Sequence, residues 1–341
     1  MRAREQVNVR NRRFAQIVGR LVRAREMGLV VFLALLVFVV SLRSPYFLSQ
    51  ENLRDILLDI SILVIVAIGQ AMVIITRGID LSVSSTLALA GMVVGMTVSA
   101  DWGLPPLLAL AMGAAIGLGL GIVNGLIITQ GQVPPIIATL GALSVYRGLV
   151  FAISGGAWVD AAEMPEGFKG LARNEVLGMP NLVLIAALVA AAAYYFLNHA
   201  RTGRHIYAIG SNPQAAQVAG IPISRVTFLV YAVSGLLAGM GGVLWVSRYA
   251  SAQSDTAVGF ELQTVAAAVV GGVNIFGGSG TVPGVLLGSL LLGVIINALN
   301  LVRISPFWKL AVQGLVILLA VLSDVIIARR LRRTAALRRS T

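Results

Sequence analysis

The stretch Thr76-Arg77-Gly78-Ile79-Asp80-Leu81-Ser82 sets an arginine and an aspartate between two apolar runs, Leu57 to Ile75 and Val83 to Val98. Each run approaches the length that crosses a bilayer as a helix. An ionisable group at such a place is costly unless it is paired, hydrated or turned toward a polar pathway. The turn therefore marks the chain as a membrane protein and marks itself as a place where function concentrates.

The rest of the chain agrees. Of 341 residues, 57% are hydrophobic and only 12% charged. Such a composition excludes an ordinary soluble domain and fits a polytopic helical bundle. Without cysteine, disulfides and thiolate sites are excluded. The net charge of +12 is not a nucleic-acid signal, because eight arginines fall in residues 1–25 and six in 329–339. Basic tails flanking apolar spans are held in the cytoplasm and attract anionic membrane lipid. The run Leu29 to Val40 follows Arg20, Arg23 and Arg25 and leads into Ser44-Pro45-Tyr46-Phe47 without a small-residue cleavage site. It reads as a retained signal-anchor helix, although Arg12-Arg13-Phe14 echoes a twin-arginine signal.

Apolar windows predict an all-α fold: a polytopic transmembrane bundle of about ten spans with both termini cytoplasmic. The spans fall near 27–42, 57–75, 81–99, 104–128, 134–153, 180–197, 226–246, 260–275, 282–301 and 307–327. They form a transmembrane domain over 27–327, between basic tails 1–26 and 328–341. The window 260–275 is short and rich in alanine and glycine, which also fits a re-entrant segment. Loop charges supply the orientation. Loop 198–225 carries Arg201, Arg204 and Arg225 without an acid and belongs inside. Loop 154–179 carries Asp160, Glu163, Glu166 and Glu175 against Lys169 and Arg173 and belongs outside. This orientation puts the Thr76–Ser82 turn at a cytoplasmic end, where Arg77 and Asp80 are expected to be hydrated and Asp80 and Ser82 to cap the next helix. Glycines at Gly113, Gly117 and Gly121, and at Gly284 and Gly288, have the spacing that brings helix backbones together. Gly69–Met92 and Gly271–Gly293 echo each other as apolar run, glycine turn and small-residue helix.

Reacting groups are scarce. His199 and His205 share a basic loop with no carboxylate beside them, so no metal site is expected. The only lysines are Lys169 and Lys309, which rules out a Gly-x-x-x-x-Gly-Lys phosphate loop and leaves this chain without an ATP cofactor of its own. Asp59, Asp80, Asp101, Glu261 and Asp324 fall at span ends, so an ion relay is disfavoured. An enzyme is disfavoured too, for want of a clustered nucleophile and base. The span residues that remain are mostly neutral and polar. Gln70, Thr76, Asn124, Thr139, Asn274 and Asn297, with Asp80 and Ser82 of the turn, are the candidates for lining a solute passage; interhelical hydrogen bonding is the plainer role for each. Ser144, Ser234, Asn300 and Gln313 share that chemistry. Arg147, well inside its span, is expected to snorkel outward or to pair with a carbonyl.

Loop 198–225 contains Ser211-Asn212-Pro213-Gln214-Ala215-Ala216-Gln217-Val218-Ala219-Gly220-Ile221-Pro222. Ser211 or Asn212 caps a helix there, Pro213 suits its first turn, and Gly220 with Pro222 ends it. The product is a helix of about two turns, shaped to dock in a partner's groove.

At this point the chain resembles a known family, the membrane-spanning permeases of bacterial ATP-binding-cassette importers for ribose, related monosaccharides and autoinducer-2. The resemblance rests on Gly69-Gln70-Ala71-Met72-Val73-Ile74-Ile75-Thr76 with Gly78-Ile79-Asp80-Leu81-Ser82-Val83, and on Val133-Pro134-Pro135-Ile136-Ile137-Ala138-Thr139-Leu140-Gly141. Tyr146-Arg147-Gly148, Gly210-Ser211-Asn212-Pro213, and Gly277-Gly278-Ser279-Gly280-Thr281 with Pro283-Gly284 continue it in the family's order. Asn212, Pro213, Gln214, Ala215, Ala216 and Gly220 look like the element by which such permeases contact their ATPase, with Gln214 in place of a glutamate. Arg77 stands where the family often has glycine, and so does Ser84. The resemblance implies a sugar-importing permease of the bacterial inner membrane. Its implied partners are an ABC ATPase subunit that binds ATP, an external sugar-binding protein, and a second permease copy or a homologous permease. Loop 155–164, Gly155 to Met164, resembles that of permeases assigned to rhamnose, which ranks a deoxyhexose ahead of ribose, other sugars and autoinducer-2. A self-sufficient secondary transporter of a small polar solute is the alternative, and a channel needs a constriction that the sequence does not reveal.

Overall fold

The computed structural model describes residues 27–100, 103–301, 308, 311, 314, 315, 318 and 322. The basic tails 1–26 and 328–341 lie outside the described residues, as do Asp101, Gln313, Asp324 and most of the span expected at 307–327.

The chain is a helical bundle. α1 is Met27–Arg43. It is followed by α2 Gln50–Ile75, α3 Val83–Ser99, α4 Pro106–Thr129, α5 Pro135–Ser154, α6 Glu166–Arg173 and α7 Asn181–His199. The remaining helices are α8 Arg201–Ser211, α9 Pro213–Val218, α10 Ile223–Tyr249, α11 Phe260–Val270 and α12 Val282–Leu301. Among the described residues, α2, α4, α5, α7, α10 and α12 are long and apolar enough to cross a membrane, while α1, α3 and α11 are shorter apolar helices. Pro106 and Pro135 sit at helix starts, where a missing N–H costs nothing.

Two boundaries differ from the sequence reading. α2 begins at Gln50 rather than near 57, because the Ser49 hydroxyl accepts the Asn52 N–H and caps a polar first turn that an apolar window passes over. α11 stops at Val270, short of 275, where Gly271-Gly272 follow and Gly272 takes φ 100°. Loop 198–225 is also less of a loop than expected. α7 runs to His199 and α8 follows after one residue, burying Gly203, Ile206, Ile209 and Gly210 on one face. Loop 154–179 holds α6 and a two-stranded hairpin, β1 Glu175–Val176 with β2 Met179–Pro180.

The core is made by α2, α3 and α10. α2 is buried without interruption from Ile60 to Ile75, as a helix apolar all round requires. α10 packs on α4, α3 and α2. Outer helices bury one stripe each; on α7 that stripe is Leu182, Ala186, Ala190, Ala193 and Leu197. Their other faces expose large apolar side chains such as Leu107, Ile137 and Leu188, which a lipid surround demands.

The spaced glycines find partners. A Cβ on Gly117 would lie 2.7 Å from the Cα of Gly239, and one on Gly235 would lie 2.7 Å from the Cα of Gly121. α4 and α10 therefore touch backbone to backbone along a glycine seam, the close packing that substitutes for hydrophobic drive in lipid. Gly288 of α12 meets Gly271 in the same way, with 2.7 Å from its would-be Cβ to the Gly271 nitrogen.

Candidate functional site

Three segments converge at one end of the bundle: the turn after α2, the last turn of α8, and the glycine segment between α11 and α12. The Gly278 N–H donates to the Ile75 carbonyl at 2.9 Å. Gly210 has no room for a Cβ, which would strike the Ile75 carbonyl and Gly278. The Tyr207 hydroxyl donates to the Gly280 carbonyl at 3.0 Å. Burial raises the Tyr207 pKa, so this donor keeps its proton at neutral pH. The helix–turn–helix units whose sequences echo each other thus meet at their turns.

Arg77 takes φ 70°, a left-handed conformation rare for a residue with a side chain. Its Nε donates to the Gly210 carbonyl at 2.6 Å and its Nη2 to the Ser211 carbonyl at 2.9 Å. The side chain is exposed, in keeping with the hydration expected of it.

Asp80 departs from expectation: it is 1% exposed. After Gly78, whose N–H returns to the Val73 carbonyl, the chain re-enters the bundle instead of staying at its end, and Ile79–Ser82 run beside Gln70 and Asn124. Oδ1 accepts from the Ser82 N–H at 3.0 Å and from the Ser82 hydroxyl at 2.6 Å, while Oδ2 accepts from the Ser234 hydroxyl at 2.9 Å. Asp80 thereby satisfies the entry to α3 through an aspartate turn; Ser82, at the N-cap, makes no side-chain cap of its own.

A connected polar cluster surrounds this carboxyl. Asn124 Nδ2 donates to Ser82 Oγ at 2.8 Å, and Tyr146 on α5 offers its hydroxyl to Asn124 Oδ1 at 3.0 Å. The Thr139 hydroxyl lies 3.1 Å from the Ile79 carbonyl. The Gln70 amide, in the orientation that satisfies both of its groups, donates to the Asp80 carbonyl at 2.9 Å and accepts the Asp80 N–H at 3.2 Å. Tyr231 on α10 brings a buried hydroxyl, without a hydrogen-bond partner among the described residues, against Gly78, where any Cβ would collide with it. Among the described residues no basic side chain forms an ion pair with Asp80.

The sequence candidates for the passage therefore divide. Gln70, Asp80, Ser82, Asn124 and Thr139 come together and are buried. Thr76 spends its hydroxyl on the Val73 carbonyl at the end of α2. Asn274 shapes the glycine segment, accepting the Phe276 N–H at 3.0 Å. Asn297 lies toward the opposite end of α2, where its amide pairs with that of Asn52 at 2.8 and 3.2 Å. Tyr146, Tyr231 and Ser234 belong with the cluster. Ser234 stands among the neutral polar span residues of the sequence and Tyr146 in the Tyr146-Arg147-Gly148 motif; for Tyr231 the only sequence signal is an aromatic body with a polar tip inside a span.

Beyond the junction stands α9. Asn212 caps it by accepting the Ala215 N–H at 3.1 Å, Pro213 occupies the first turn, and Gly220 ends it at φ 74°. Ala216 is buried; Gln214, Ala215, Gln217 and Gly220 face outward with Val218, which is 91% exposed.

The opposite end of the bundle is laced by charge. Arg248 pairs with Asp55 at 2.6 Å, and Arg54 with Glu175 at 3.0 Å. Arg147 meets carbonyls, as expected, donating through Nη1 to Ser254 at 2.9 Å and Thr256 at 2.8 Å. Among the described residues no three His, Asp or Glu side chains group as a metal shell would require.

Comparison with known proteins gives these features a context. The family profile described as "Branched-chain amino acid transport system / permease component" matches residues 52–321. The ribose import permease protein RbsC of Escherichia coli (strain K12) is 39% identical over 301 residues, covering 88% of this chain and 93% of the relative. The D-allose transport system permease protein AlsC of the same strain is 34% identical over 306 residues, covering 89% and 93%. The autoinducer 2 import system permease protein LsrC of Enterobacter sp. (strain 638) is 33% identical over 298 residues, covering 87% and 86%. No solved structure matches.

Proposed function

The chain belongs to the family of permease components of branched-chain amino acid transport systems, and on that premise we propose that it is the membrane-spanning subunit of an ATP-driven monosaccharide importer in a bacterial inner membrane. It is a transport component and not an enzyme. The observation that carries the reading is α9: a capped, outward-facing helix with a bare Val218 at the end where the turns converge. A groove on an ATPase subunit is the partner such a helix fits. We place this end in the cytoplasm, on the strength of Arg201, Arg204 and Arg225. The same orientation puts both basic tails inside against membrane lipid, which takes an even number of spans, ten or, if 260–275 and a neighbour do not cross, eight, and turns loop 154–179 toward an external sugar-binding protein. A second permease copy or a homologous permease completes the passage.

In the conformation described, Gln70, Asp80, Ser82 and Asn124 are joined by hydrogen bonds, with the Thr139 hydroxyl on the neighbouring Ile79 carbonyl, and we read the five as the closed inner layer of that passage. ATP binding and hydrolysis by the partner would alternate this state with an open one. The three relatives are named for ribose, allose and autoinducer 2, so a small polyhydroxylated solute is the substrate class. The deoxyhexose reading rests on loop 155–164 alone.

Asp80 favours the second reading, a self-sufficient secondary transporter, because a carboxyl group inside the bundle is what ion coupling needs. Both of its oxygens, however, are engaged by Ser82 and Ser234. Reconstitution decides between the two. The complex purified through a tag on this chain is expected to import labelled ribose or allose into vesicles only with ATP and its ATPase subunit present. Import by the chain alone, driven by a proton or sodium gradient, would falsify the importer reading.

A further inference from the structure

We infer that Arg77 is a latch which transmits the movement of α9 to the Asp80 cluster, a positioning residue for coupling; the inference rests on α9 being the ATPase contact. Gly210 and Ser211 supply carbonyls from the end of α8, where the helix leaves its last acceptors unused and partly negative. Arg77 takes both, one with Nε and one with Nη2. The planar fork of arginine suits two neighbouring acceptors; the single ammonium of lysine does not.

Position gives the contact its meaning. Asn212, the cap of α9, directly follows Ser211, and Asp80 lies three residues beyond Arg77. One side chain therefore links the base of the exposed helix to the Ile79–Ser82 segment that threads the buried cluster. The junction around it has no slack: Gly278 is hydrogen-bonded to Ile75, and Gly210 is pressed on both. A displacement of α8 and α9 must then move the α2 turn with it, or break the two bonds.

Burial does not explain the residue. Arg77 is exposed, and it holds a backbone conformation that glycine would adopt without strain. A side chain kept there against its conformational preference is kept for what it holds.

Arg77→Gly is the informative variant, because glycine accepts φ 70° and the fold is retained. With the importer purified through this chain and placed in vesicles with its binding protein, ATP and labelled ribose or allose, the reading is sugar imported per ATP hydrolysed. The latch predicts unchanged assembly with the ATPase, unchanged thermal stability, and a ratio lowered about fivefold to tenfold. Arg77→Lys, able to hold one carbonyl, should fall between. An unchanged ratio in Arg77→Gly overturns the latch. So does loss of the ATPase from the complex, which would make Arg77 a docking residue, and so does a fall in thermal stability with the ratio preserved, which would make it a staple. Failure of the unmodified complex to depend on ATP would be seen before any variant is made, and would remove the importer reading together with the latch.

Discussion

Arg77 and Asp80 stand three residues apart, carry side chains of opposite charge, and do not pair. Arg77 turns to the bundle's end and spends its donors on main-chain carbonyls of α8; Asp80 turns inward and accepts only from side chains and backbone of the cluster. A seven-residue turn read as one feature is thus two devices facing opposite ways, with Gly78 as the pivot. The difference teaches that charge within a span boundary does not reveal its own environment. What decides is the path of the chain on either side of the glycine.

Substitutions can break this contrast. Asp80→Ala should have the largest effect, about 3 kcal/mol or more, because it strands the Ser82 N–H and two hydroxyls in a buried place. Thermal unfolding of the purified chain in detergent measures it. Asp80→Asn keeps an acceptor and should cost roughly half as much; equal losses would mean that charge, rather than hydrogen bonding, holds the cluster. Next comes Gly78→Ala, which drives a methyl group into the Tyr231 hydroxyl and should cost about 1–3 kcal/mol. Tyr231→Phe removes that unpartnered hydroxyl and should rescue the alanine variant in the same assay; without rescue, the pivot is set by something other than this contact. Arg77→Gly should be smallest, within about 1 kcal/mol, since lost hydrogen bonds and relieved backbone strain oppose each other. A large loss there would erase the distinction between the two halves of the turn.

Much of this architecture was legible in advance, and the reasons are local. Apolar length located the helices, and Asn212, Pro213 and Gly220 announced α9 because caps and breakers act within a few residues. The glycine spacing on α4 foretold close packing but not its partner, since near-uniform apolarity leaves helix rotation open. α8 was missed although Gly203, Ile206, Ile209 and Gly210 carry its period, because Arg201, Arg204 and His205 made the segment read as a charged loop. The destination of Asp80 was half legible: it was grouped with the passage candidates it does join, but was expected to be hydrated and not buried. Nothing in Ile79-Asp80-Leu81-Ser82 says that the chain doubles back, and the residues that receive it come from α2, α4, α5 and α10.

The glycine seam between α4 and α10 has a consequence for how the protein is made. α5, α6, α7, α8 and α9 are synthesised between the two halves of that contact. Until α10 enters the membrane, Gly113, Gly117 and Gly121 present bare backbone to lipid with nothing to fill the groove. α4 must therefore wait with this face uncovered, although α3, α5 and α6 pack elsewhere on it, through the synthesis of more than a quarter of the chain, which at ~5–20 residues per second lasts several seconds or longer. An insertase that shelters α4 during that interval, or a ribosome that slows before α10, would set the yield of folded permease as firmly as any contact in the finished bundle.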